Sequence, residues 1–445
     1  MTDKKSYDRT YAIVNLDRME ENLRLCKNSL REGIAFCAVI KMDAYGHGMV
    51  EVAKAVEEEC ALFGVATIEE AITLRKAGIE KNILVLGVVP ESQYTSLFDY
   101  RVMPSLFTSR QLDKIEKIAE KRKTKLAVHI ALDTGMGRIG IQVEEKDALK
   151  TAMDILNSPY VEVEGIFSHF ASCDETDKSY TLKQQKRFHD FLESLKKEGY
   201  TIPLCHISNS AGILEGIGTE YNMVRDGIAL YGIYPSSEVR QDLPLKMALS
   251  WKAKISHIKT VPKGEGISYG SAFVTDREMR IATIPVGYGD GYPRILSGKA
   301  EVIIGGKKCP ILGRVCMDQF MVDVSAVDAV LFQEVTLLGE EGGEAISLYD
   351  WEKFGVFPYE FLCGLGNRVP RVYFRGKQWI IFPRRHRYSE KNLRRKEKIG
   401  TLRKKLEERV CQAIQSFPIL EQKKKRTMRQ RERFSRLSVM NLPLR

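Results

Sequence analysis

A regular alternation of short apolar runs with amphipathic segments, between residues 11 and 232, constrains the fold most strongly. The runs are rich in Val, Ile, Leu and Phe, which is typical of strands buried on both faces of a parallel sheet. Eight such runs lie at 35–41, 62–66, 83–87, 102–106, 126–132, 163–169, 204–208 and 223–228. Helical patterns separate them, so the order predicts an α/β fold, a (β/α)8 barrel of the TIM type. Pro104 makes the fourth run the least strand-like of the eight.

A change of pattern near Leu249 marks a second domain. Short strand-like pieces follow one another with Gly and Pro between them, which is typical of a mainly β domain. The pieces lie at 251–261, 280–285, 300–304, 307–312, 319–324, 334–338 and 379–382. We therefore predict a barrel over 8–246, a mainly β domain over 247–383 and a separate extension over 384–445.

The extension carries the positive charge of the chain. The whole sequence has a net charge of +11, whereas residues 384–445 contain 21 Lys and Arg against 6 Asp and Glu. The remainder, with 48 basic and 52 acidic residues, is mildly acidic. Leu402, Leu406, Val410 and Ile414 recur every four residues and predict one short helix in a solvated, partly disordered tail. Contact with nucleic acid is the alternative, disfavoured because no aromatic residues interleave with the basic ones.

The composition also bears on compartment and metal content. No run of about 18 apolar residues occurs, so we expect no membrane span. The N-terminus lacks the apolar segment of a secretory signal. Nine cysteines without a Cys-x-x-Cys pair are expected to be reduced thiols of a cytoplasmic protein, and no metal site is expected.

A lysine ends the first apolar run. Lys41 follows Val39 and Ile40, at the carboxyl end of the predicted strand, and this end faces the mouth where TIM barrels have their active sites. A lysine is costly to bury, and one at this place can bond covalently to an aldehyde cofactor. The simpler alternative is a lysine that emerges into solvent at a strand end.

Further polar residues follow other strands of the predicted barrel. They are Asp133 and Arg138 after the fifth run, His169 at the sixth, His206, Ser208, Asn209 and Ser210 at the seventh, and Arg225, Asp226, Gly227 and Ile228 at the eighth. The carboxyl ends of parallel strands meet at one rim, so we expect these residues to share a site. Glycine beside Ser, Asn and backbone N–H groups suits the binding of a phosphate.

Several motifs together resemble alanine racemases, a family of enzymes that use pyridoxal 5′-phosphate (PLP). Residues 38–48, AVIKMDAYGHG, are similar to the PLP-lysine motif of that family. The second domain adds SYG at 268–270, GYGDGYPR at 287–294, GRVCMDQ at 313–319 and RVPR at 368–371. The motifs occur in the order of the family over roughly residues 8–383, and the family's barrel and β domain agree with the fold predicted above.

The resemblance implies a role for each matching residue. The two catalytic residues would be Lys41, which carries PLP, and Tyr269, which the partner subunit of a homodimer contributes as the opposing base. PLP would also be held by Tyr45, Ser210, Gly227 and Ile228 at its phosphate, by Arg225 at its pyridine nitrogen, and by His169 in a network between Arg225 and Tyr269. The substrate-binding residues would be Arg138, Met317 and Asn367.

The implied reaction interconverts L- and D-alanine and supplies a D-amino acid for peptidoglycan. Racemisation removes a proton from one face of Cα and returns one to the other face, so two opposed bases are needed. A free lysine or tyrosine is mostly protonated at neutral pH, and the site must favour the base form of each. PLP supplies the electron sink. Because Arg225 stays protonated, it would leave the ring nitrogen as an unprotonated acceptor.

Two positions depart from the family pattern. Many members have a carbamylated lysine two residues before the Asp-Thr-Gly segment, where this chain has Ala131, so another group or a bound anion has to orient Arg138. Asn367 stands where typical members have tyrosine, and serine racemases of the vancomycin-resistance type are similar at this point. Asparagine is smaller than tyrosine and has both a donor and an acceptor. We therefore hypothesise that serine is turned over better than by a typical member.

Three alternative functions follow from the same residues. The first is a serine-preferring racemase. The second is a PLP-dependent amino-acid decarboxylase of the same fold, disfavoured because the Ser268-Tyr269-Gly270 and Cys316-Met317-Asp318 motifs resemble racemases. The third is a non-catalytic PLP-binding protein, which predicts a single barrel without a second domain or an opposing tyrosine.

Overall fold

The computed structural model describes residues 9–376 and 378–380, so the predicted tail over 384–445 lies outside the described residues. Strands and helices alternate in its first part. The strands are β1 (Thr10–Asn15), β2 (Ala35–Val39), β3 (Leu62–Val65), β4 (Asn82–Val85), β5 (Met103–Leu106), β6 (Leu126–Asp133), β7 (Ile141–Gln142), β8 (Val161–Phe167), β9 (Leu204–His206) and β10 (Met223–Asp226). The helices are α1 (Leu16–Asn28), α2 (Lys41–Tyr45), α3 (Met49–Val56), α4 (Ile68–Lys76), α5 (Tyr94–Asp99), α6 (Ser109–Arg122), α7 (Ala148–Asn157), α8 (Ser179–Lys197) and α9 (Ser210–Glu215).

Eight of these strands form a parallel barrel in the hydrogen-bonded order β10-β2-β3-β4-β5-β6-β8-β9. The two end strands approach each other where the Arg225 N–H donates to the Ser208 carbonyl at 3.0 Å. All eight predicted strands are confirmed, including the one with Pro104, which lies opposite Val85 in β4. The TIM-type fold is therefore confirmed. It places the carboxyl end of every strand at one rim.

Local sequence explains how the outer helices begin and pack. At the start of α6 the Thr108 hydroxyl accepts the Gln111 N–H at 3.2 Å, and the Gln111 side chain accepts the Thr108 N–H at 3.1 Å, which is a capping box. Leu112, Ile115 and Ala119 are buried at helical spacing, so this helix has one apolar stripe toward the barrel.

The second domain is mainly β, as predicted. Its strands are β11 (Leu249–Lys254), β12 (His257–Val261), β13 (Gly266–Ile267), β14 (Phe273–Val274), β15 (Met279–Ile284), β16 (Glu301–Ile304), β17 (Lys307–Leu312), β18 (Phe320–Asp323), β19 (Glu334–Glu341), β20 (Glu344–Ile346), β21 (Arg371–Arg375) and β22 (Gln378–Ile380), and its helices are α10 (Leu348–Glu352) and α11 (Pro358–Gly364). The large sheet has the order β12-β15-β18-β17-β16-β19-β11-β1-β21-β22, with β20 beside β19.

Two details of this sheet differ from the prediction. The single strand predicted over 251–261 is wrong, because β11 and β12 are separated at residues 255–256 and pair with different strands, β19 and β15. Between them the Ser256 N–H and hydroxyl both donate to the Thr283 carbonyl, at 2.9 and 3.0 Å. The first strand, β1, precedes the barrel in sequence but pairs antiparallel with β11 and parallel with β21. A boundary at residue 8 therefore assigns to the barrel a strand that belongs to the second sheet.

The described residues also bear on the expectations for membrane spans, cysteines and metal ions. No helix in them combines the length and apolar character needed to cross a bilayer. The eight cysteines they include are all free thiols, while Cys411 lies outside them. They contain no group of three or more His, Cys, Asp or Glu side chains placed to hold a metal ion.

An aromatic cluster forms the core of the second domain and holds α11 on the sheet. Tyr292 packs on Trp251 and Trp351, with ring centroids 5.7 and 5.3 Å apart, and Trp351 packs edge-on against Phe361 of α11 at 5.0 Å. Such pairs contribute about 0.5–1.5 kcal/mol each beyond the apolar area they bury. Because α11 leads directly to the segment with Asn367, the cluster also fixes that segment.

Replacing Trp351 by alanine should lower the free energy of unfolding by about 3–5 kcal/mol, because the indole is 1% exposed and its removal leaves a cavity. Trp379→Ala is the matched control, since that indole is 55% exposed and its loss should cost less than about 1 kcal/mol. Urea unfolding followed by circular dichroism measures both. Equal losses in the two variants would show that the cluster is not the core of the domain.

Candidate active site

A cavity of about 560 Å³ opens at the carboxyl ends of the barrel strands. Of the eleven residues to which the resemblance gives a role, eight line it: Lys41, Tyr45, Arg138, His169, Ser210, Arg225, Gly227 and Ile228. Three others do not line this cavity in the single chain: Tyr269, Met317 and Asn367. The structure thus brings the barrel residues together in the cavity, whereas Tyr269, Met317 and Asn367 lie outside it.

Lys41 is the first residue of α2, and the rest of this short element is a strained left-handed turn. Residues 42–45 all have positive φ angles, between 51° and 54°, a left-handed conformation that costs L-residues roughly 1–2 kcal/mol each. Polar contacts hold the turn: the Glu70 carboxylate accepts the Met42 and Ala66 N–H groups at 2.7 Å each, and the Asp43 carboxylate accepts the Met49 N–H at 2.8 Å. The position of the lysine is therefore fixed by its neighbours.

Arg371 joins this turn to the loop that contains Asn367. Its Nε donates to the Gly46 carbonyl at 2.8 Å, and its other nitrogens donate to three carbonyls of the loop 365–369 at 2.7–2.9 Å. Gly46 has a φ of +76°, and an added Cβ would overlap the Leu362 carbonyl. One half-buried guanidinium thus fixes the distance between the lysine turn and the loop from the second domain.

The surroundings of Lys41 favour its neutral amine. Burial lowers the pKa of Lys41, and the positive charge of Arg138 lowers it further, while Cys363 and Glu70 act in the opposite direction. A lysine with a lowered pKa can act as a nucleophile toward an aldehyde and as a base near neutral pH.

Ser210 and Gly227 form a cradle for an anion. The Ser210 hydroxyl accepts the N–H groups of Gly227 at 2.8 Å and Ala229 at 3.3 Å and donates to Asp226 at 3.0 Å. An added Cβ on Gly227 would lie 3.1 Å from the Tyr45 hydroxyl and 3.6 Å from the Ser210 hydroxyl. The glycine therefore keeps open a space between two hydroxyls and a backbone N–H, and this donor set fits a phosphate.

Arg225 is 3% exposed and has only neutral acceptors. Its Nη1 donates to His206 Nδ1 at 2.7 Å, and its Nη2 donates to the Ser168 and Ile207 carbonyls at 2.7 and 3.0 Å and to His169 Nδ1 at 3.1 Å. Its Nε–H makes no hydrogen bond within the described residues, and the side chain lines the cavity. Burial lowers its pKa to about 10, so it is protonated at neutral pH and presents a donor to a ring-nitrogen acceptor.

His129 belongs to this network although its sequence position did not predict it. Because Arg225 only donates, His206 Nδ1 must accept, so His206 Nε2 carries the hydrogen and donates to His129 Nδ1 at 3.0 Å. Burial, followed by the charge of Arg225, lowers the pKa of His129 to about 3, which keeps it neutral. The available signal was a histidine inside the apolar run of β6, which is fully buried.

Arg138 faces the cavity without a partner. Its guanidinium makes no ion pair or hydrogen bond with the part of the chain that the structure describes, and Ala131 is buried where the family pattern has a lysine. The guanidinium is therefore available to an anionic group of a ligand.

Tyr269 and Met317 lie close together on the surface of the second domain, 70% and 55% exposed. The Ser268 hydroxyl donates to the Arg314 carbonyl at 2.7 Å and lies 3.6 Å from the Cys316 sulfur. These contacts join the tyrosine turn to the segment 313–319. The two side chains therefore belong to one exposed surface, and neither of them lines the cavity of its own chain.

The 287–294 motif supports that surface. Asp290 is fully buried and accepts two hydrogen bonds from Arg9, at 2.9 and 2.7 Å, and the Gly287 N–H at 3.1 Å. The Gly289 N–H in turn donates to the Met317 carbonyl at 2.8 Å. An ion pair with a fully buried carboxylate and a partly exposed guanidinium thus holds the backbone that contacts Met317.

Asn367 lines a smaller cavity of about 390 Å³ beside the main one. Cys363 lines both cavities, and Met42 and Asp43 of the lysine turn line the smaller one. Asn367 is therefore next to the turn that follows Lys41 rather than inside the main cavity.

Comparison with known families and proteins matches most of the chain to alanine racemases, the family that its motifs resemble. Residues 14–235 match the N-terminal domain of alanine racemase, and residues 248–373 match its C-terminal domain. The chain is 43% identical over 367 residues to the alanine racemase of Halothermothrix orenii, covering 82% of this chain and 96% of that protein. It is 42% identical over 384 residues to alanine racemase 2 of Caldanaerobacter subterraneus subsp. tengcongensis, covering 84% and 97%.

Solved structures of alanine racemases also superpose on this chain. The alanine racemase of Clostridium difficile 630 superposes with a TM-score of 0.80 at 40% identity, covering 84% of this chain and 97% of that one. The enzyme of Bacillus anthracis with bound L-Ala-P superposes with a TM-score of 0.78 at 39% identity, covering the same shares of 84% and 97%. The domain matches and these similarities, together with the cavity that Lys41 and Arg225 line, show that the chain belongs to the alanine racemase family of PLP-dependent isomerases.

Proposed function

We propose that the chain interconverts L- and D-alanine with PLP as a homodimer, in which each active site combines the barrel cavity of one subunit with Tyr269 of the partner subunit. The observation that supports this most directly is the separation of the predicted residues into two sets. Lys41, Arg225 and Ser210 converge in one cavity, whereas Tyr269 is 70% exposed on another surface. A tyrosine can serve as a base only where it contacts the substrate. The cavity of a second subunit would bring a substrate to Tyr269.

The residues of the cavity would hold PLP from both ends. Ser210, Gly227, Ile228 and Tyr45 would bind the phosphate, and the Nε–H of Arg225 would bind the pyridine nitrogen. When bound, PLP supplies the electron sink for the charge left on Cα after the proton departs. Lys41 would hold it covalently, and His169 would orient Arg225 through the bond to its Nη2.

Proton transfer would use Lys41 and Tyr269 on opposite faces of Cα. The lowered pKa of Lys41, caused by burial and then by Arg138, favours the amine that accepts a proton. The unpaired guanidinium of Arg138 would bind the substrate carboxylate, and the Met317 backbone of the partner subunit would close the site. The reacting carbon would then be fixed between the two bases, since a fixed orientation is itself a large part of catalysis.

Tyr269→Phe should reduce racemisation by about 10²–10⁴-fold, because the second face of Cα loses its acid and base. Exchange of the Cα hydrogen with solvent should persist for one enantiomer, through Lys41. Proton NMR in D2O, together with a chiral assay of alanine, measures both quantities.

Tyr160→Phe is the control for this variant, because that tyrosine precedes β8 at the opposite end of the barrel. It should leave racemisation unchanged. Full racemisation by Tyr269→Phe would show that another group serves the second face.

Shared active sites predict complementation between two inactive variants. Lys41→Ala and Tyr269→Phe, coexpressed with different tags, should form mixed dimers in which one site has both wild-type residues and the other has neither. A random mixture should recover about a quarter of wild-type activity, since half of the dimers are mixed and each has one intact site. If both bases came from one chain, no mixture would recover activity.

The cellular role that we propose is the supply of D-alanine for peptidoglycan in the cytoplasm. The free thiols of the described cysteines support a reducing compartment. The predicted nucleic-acid alternative concerns residues 384–445, which lie outside the described residues.

A serine-preferring racemase is the second candidate, and Asn367 is the observation that favours it. The side chain is exposed on the loop that Arg371 fixes beside the lysine turn. An amide there offers a donor and an acceptor to a hydroxyl-bearing side chain, whereas tyrosine would fill the space.

Asn367→Tyr should lower the ratio of kcat/KM for L-serine to that for L-alanine by about fivefold, the value of one hydrogen bond. Asn367→Ala separates bulk from hydrogen bonding, because it removes the amide without filling the space. A chiral assay with both amino acids measures the ratio. A ratio unchanged in both variants would exclude a role for this position in substrate choice.

A further inference from the structure

Asp226 is a fully buried carboxylate directly beneath the proposed phosphate cradle. It follows Arg225 in β10, and consecutive side chains of a strand point to opposite sides. Arg225 lines the cavity, whereas Asp226 does not, and Asp226 reaches the cavity only through the Ser210 hydroxyl at 3.0 Å.

The hydrogen-bonding capacity of Ser210 is already used in full. Its hydroxyl oxygen accepts two N–H groups, from Gly227 and Ala229, and its single hydrogen goes to Asp226 Oδ1. A hydroxyl has one donor and two acceptor sites. Ser210 can therefore donate to a phosphate only after it withdraws its hydrogen from Asp226.

Withdrawal would leave an ionised Asp226 in an unfavourable position. Its other oxygen, Oδ2, has no hydrogen bond of ordinary geometry within the described residues, although the Leu230 N–H and the Cys26 thiol lie near enough to favour the charged form. A phosphate carries a charge of about −1.5 to −2 at neutral pH, so two anions would then face each other across one serine. Protonation of the Asp226 carboxyl would remove both the repulsion between the two anions and the cost of a poorly hydrogen-bonded buried charge.

We propose that Asp226 takes up a proton when PLP binds, and that the resulting carboxyl group donates to Ser210 and so frees the serine hydrogen for the phosphate. The hydrogen bonds balance in this exchange. The Gly227 N–H and the Ser210 O–H turn to the phosphate, and the acceptor site that Gly227 leaves on Ser210 receives the carboxyl hydrogen. One proton comes from solvent. The inference rests on the proposed function, because it assumes that PLP occupies the cradle.

The surroundings of Asp226 support this exchange. The titratable groups that face it are Cys26 of α1, Cys37 of β2, Tyr45, Tyr231 and Tyr359. Burial raises the pKa of each, so they stay neutral, and no cation among the described residues pairs with the carboxylate. Burial likewise raises the pKa of Asp226 to about 7, which places its titration in the working range of a cytoplasmic enzyme.

The sign of the pH dependence follows from this proton uptake. Below the pKa of the free protein, Asp226 is already protonated and PLP binds with full affinity. Above that pKa each binding event must take up a proton, so affinity falls as pH rises. With a pKa of about 7 before binding, the loss at pH 8.5 should reach about 30-fold relative to pH 6.

The test compares wild type with Asp226→Asn in the apo form of the full chain. The asparagine amide donates permanently to Ser210 and imitates the protonated carboxyl. PLP is titrated at pH 6 and pH 8.5, followed by quenching of tryptophan fluorescence. The two proteins should bind PLP equally at pH 6, and the variant should bind about 30-fold more tightly than wild type at pH 8.5. Pyridoxal, which lacks the phosphate, is the matched control and should show no such divergence.

A second measurement covers the case in which Asp226→Asn does not fold. Calorimetry of wild type at pH 8, in buffers of different ionisation enthalpy, gives the protons taken up per PLP bound. The uptake with PLP should exceed that with pyridoxal by close to one proton, and Ser210→Ala should abolish the difference. Equal uptake with both ligands, or parallel pH profiles of wild type and Asp226→Asn, would overturn the inference.

The outcome also distinguishes this inference from the proposed function. A wild-type chain that binds no PLP, or that binds PLP and racemises nothing, would contradict the proposed function itself. A chain that binds PLP and racemises alanine, with no link between Asp226 and affinity, would contradict only the role of this carboxylate.

Discussion

The guanidinium of Arg225 is buried where β8, β9 and β10 end, and all its acceptors are neutral carbonyls and histidine nitrogens. A buried charge is tolerated only when its hydrogen bonds are made, and here five contacts use both Nη groups. The chain from His206 to His129 extends this control, because each ring must accept from the side of the arginine. Because Arg225 stays protonated, it fixes the tautomers of His206 and His129. Its Nε–H would also be the same single donor to the pyridine nitrogen of PLP at every physiological pH.

The lysine that follows the neighbouring strand β2 is positioned by strain. Four consecutive left-handed residues would unwind in isolation, and Glu70, Asp43 and Arg371 together prevent it. Backbone strain that surrounding contacts enforce is characteristic of functional sites. Because Arg371 also holds the loop of Asn367, the lysine and the loop that would meet the substrate cannot move independently. The two domains are thus joined at the cavity as well as through β1.

Much of the fold and of the barrel part of the site could be predicted from the sequence, and the parts that could not be predicted have physical causes. Buried parallel strands are continuous apolar runs, so all eight were visible, and the residues that end them necessarily meet at one rim. The pairing of β1 with the second sheet was not visible, because six residues carry no information about a partner more than 200 positions away. His129 was not assigned to the network, because a histidine inside an apolar strand does not indicate which distant residue it contacts. The separation of Tyr269 from the cavity depends on tertiary geometry, and the resemblance to a family suggested it where the residues alone could not.

Arg225 and Asp226, adjacent residues of β10, would serve opposite ends of PLP. Adjacent side chains leave β10 in opposite directions, so one faces the cavity and the other lies beneath the phosphate cradle. Arg225 is surrounded by acceptors and keeps its charge, with its pKa still about 10. Asp226 is surrounded by neutral thiols and phenols, and its charge costs enough that its pKa rises to about 7. Only Arg225 has enough hydrogen-bond partners to retain its charge without a counterion. Burial therefore leaves the protonation state of Arg225 fixed, whereas the protonation state of Asp226 can respond to a bound anion.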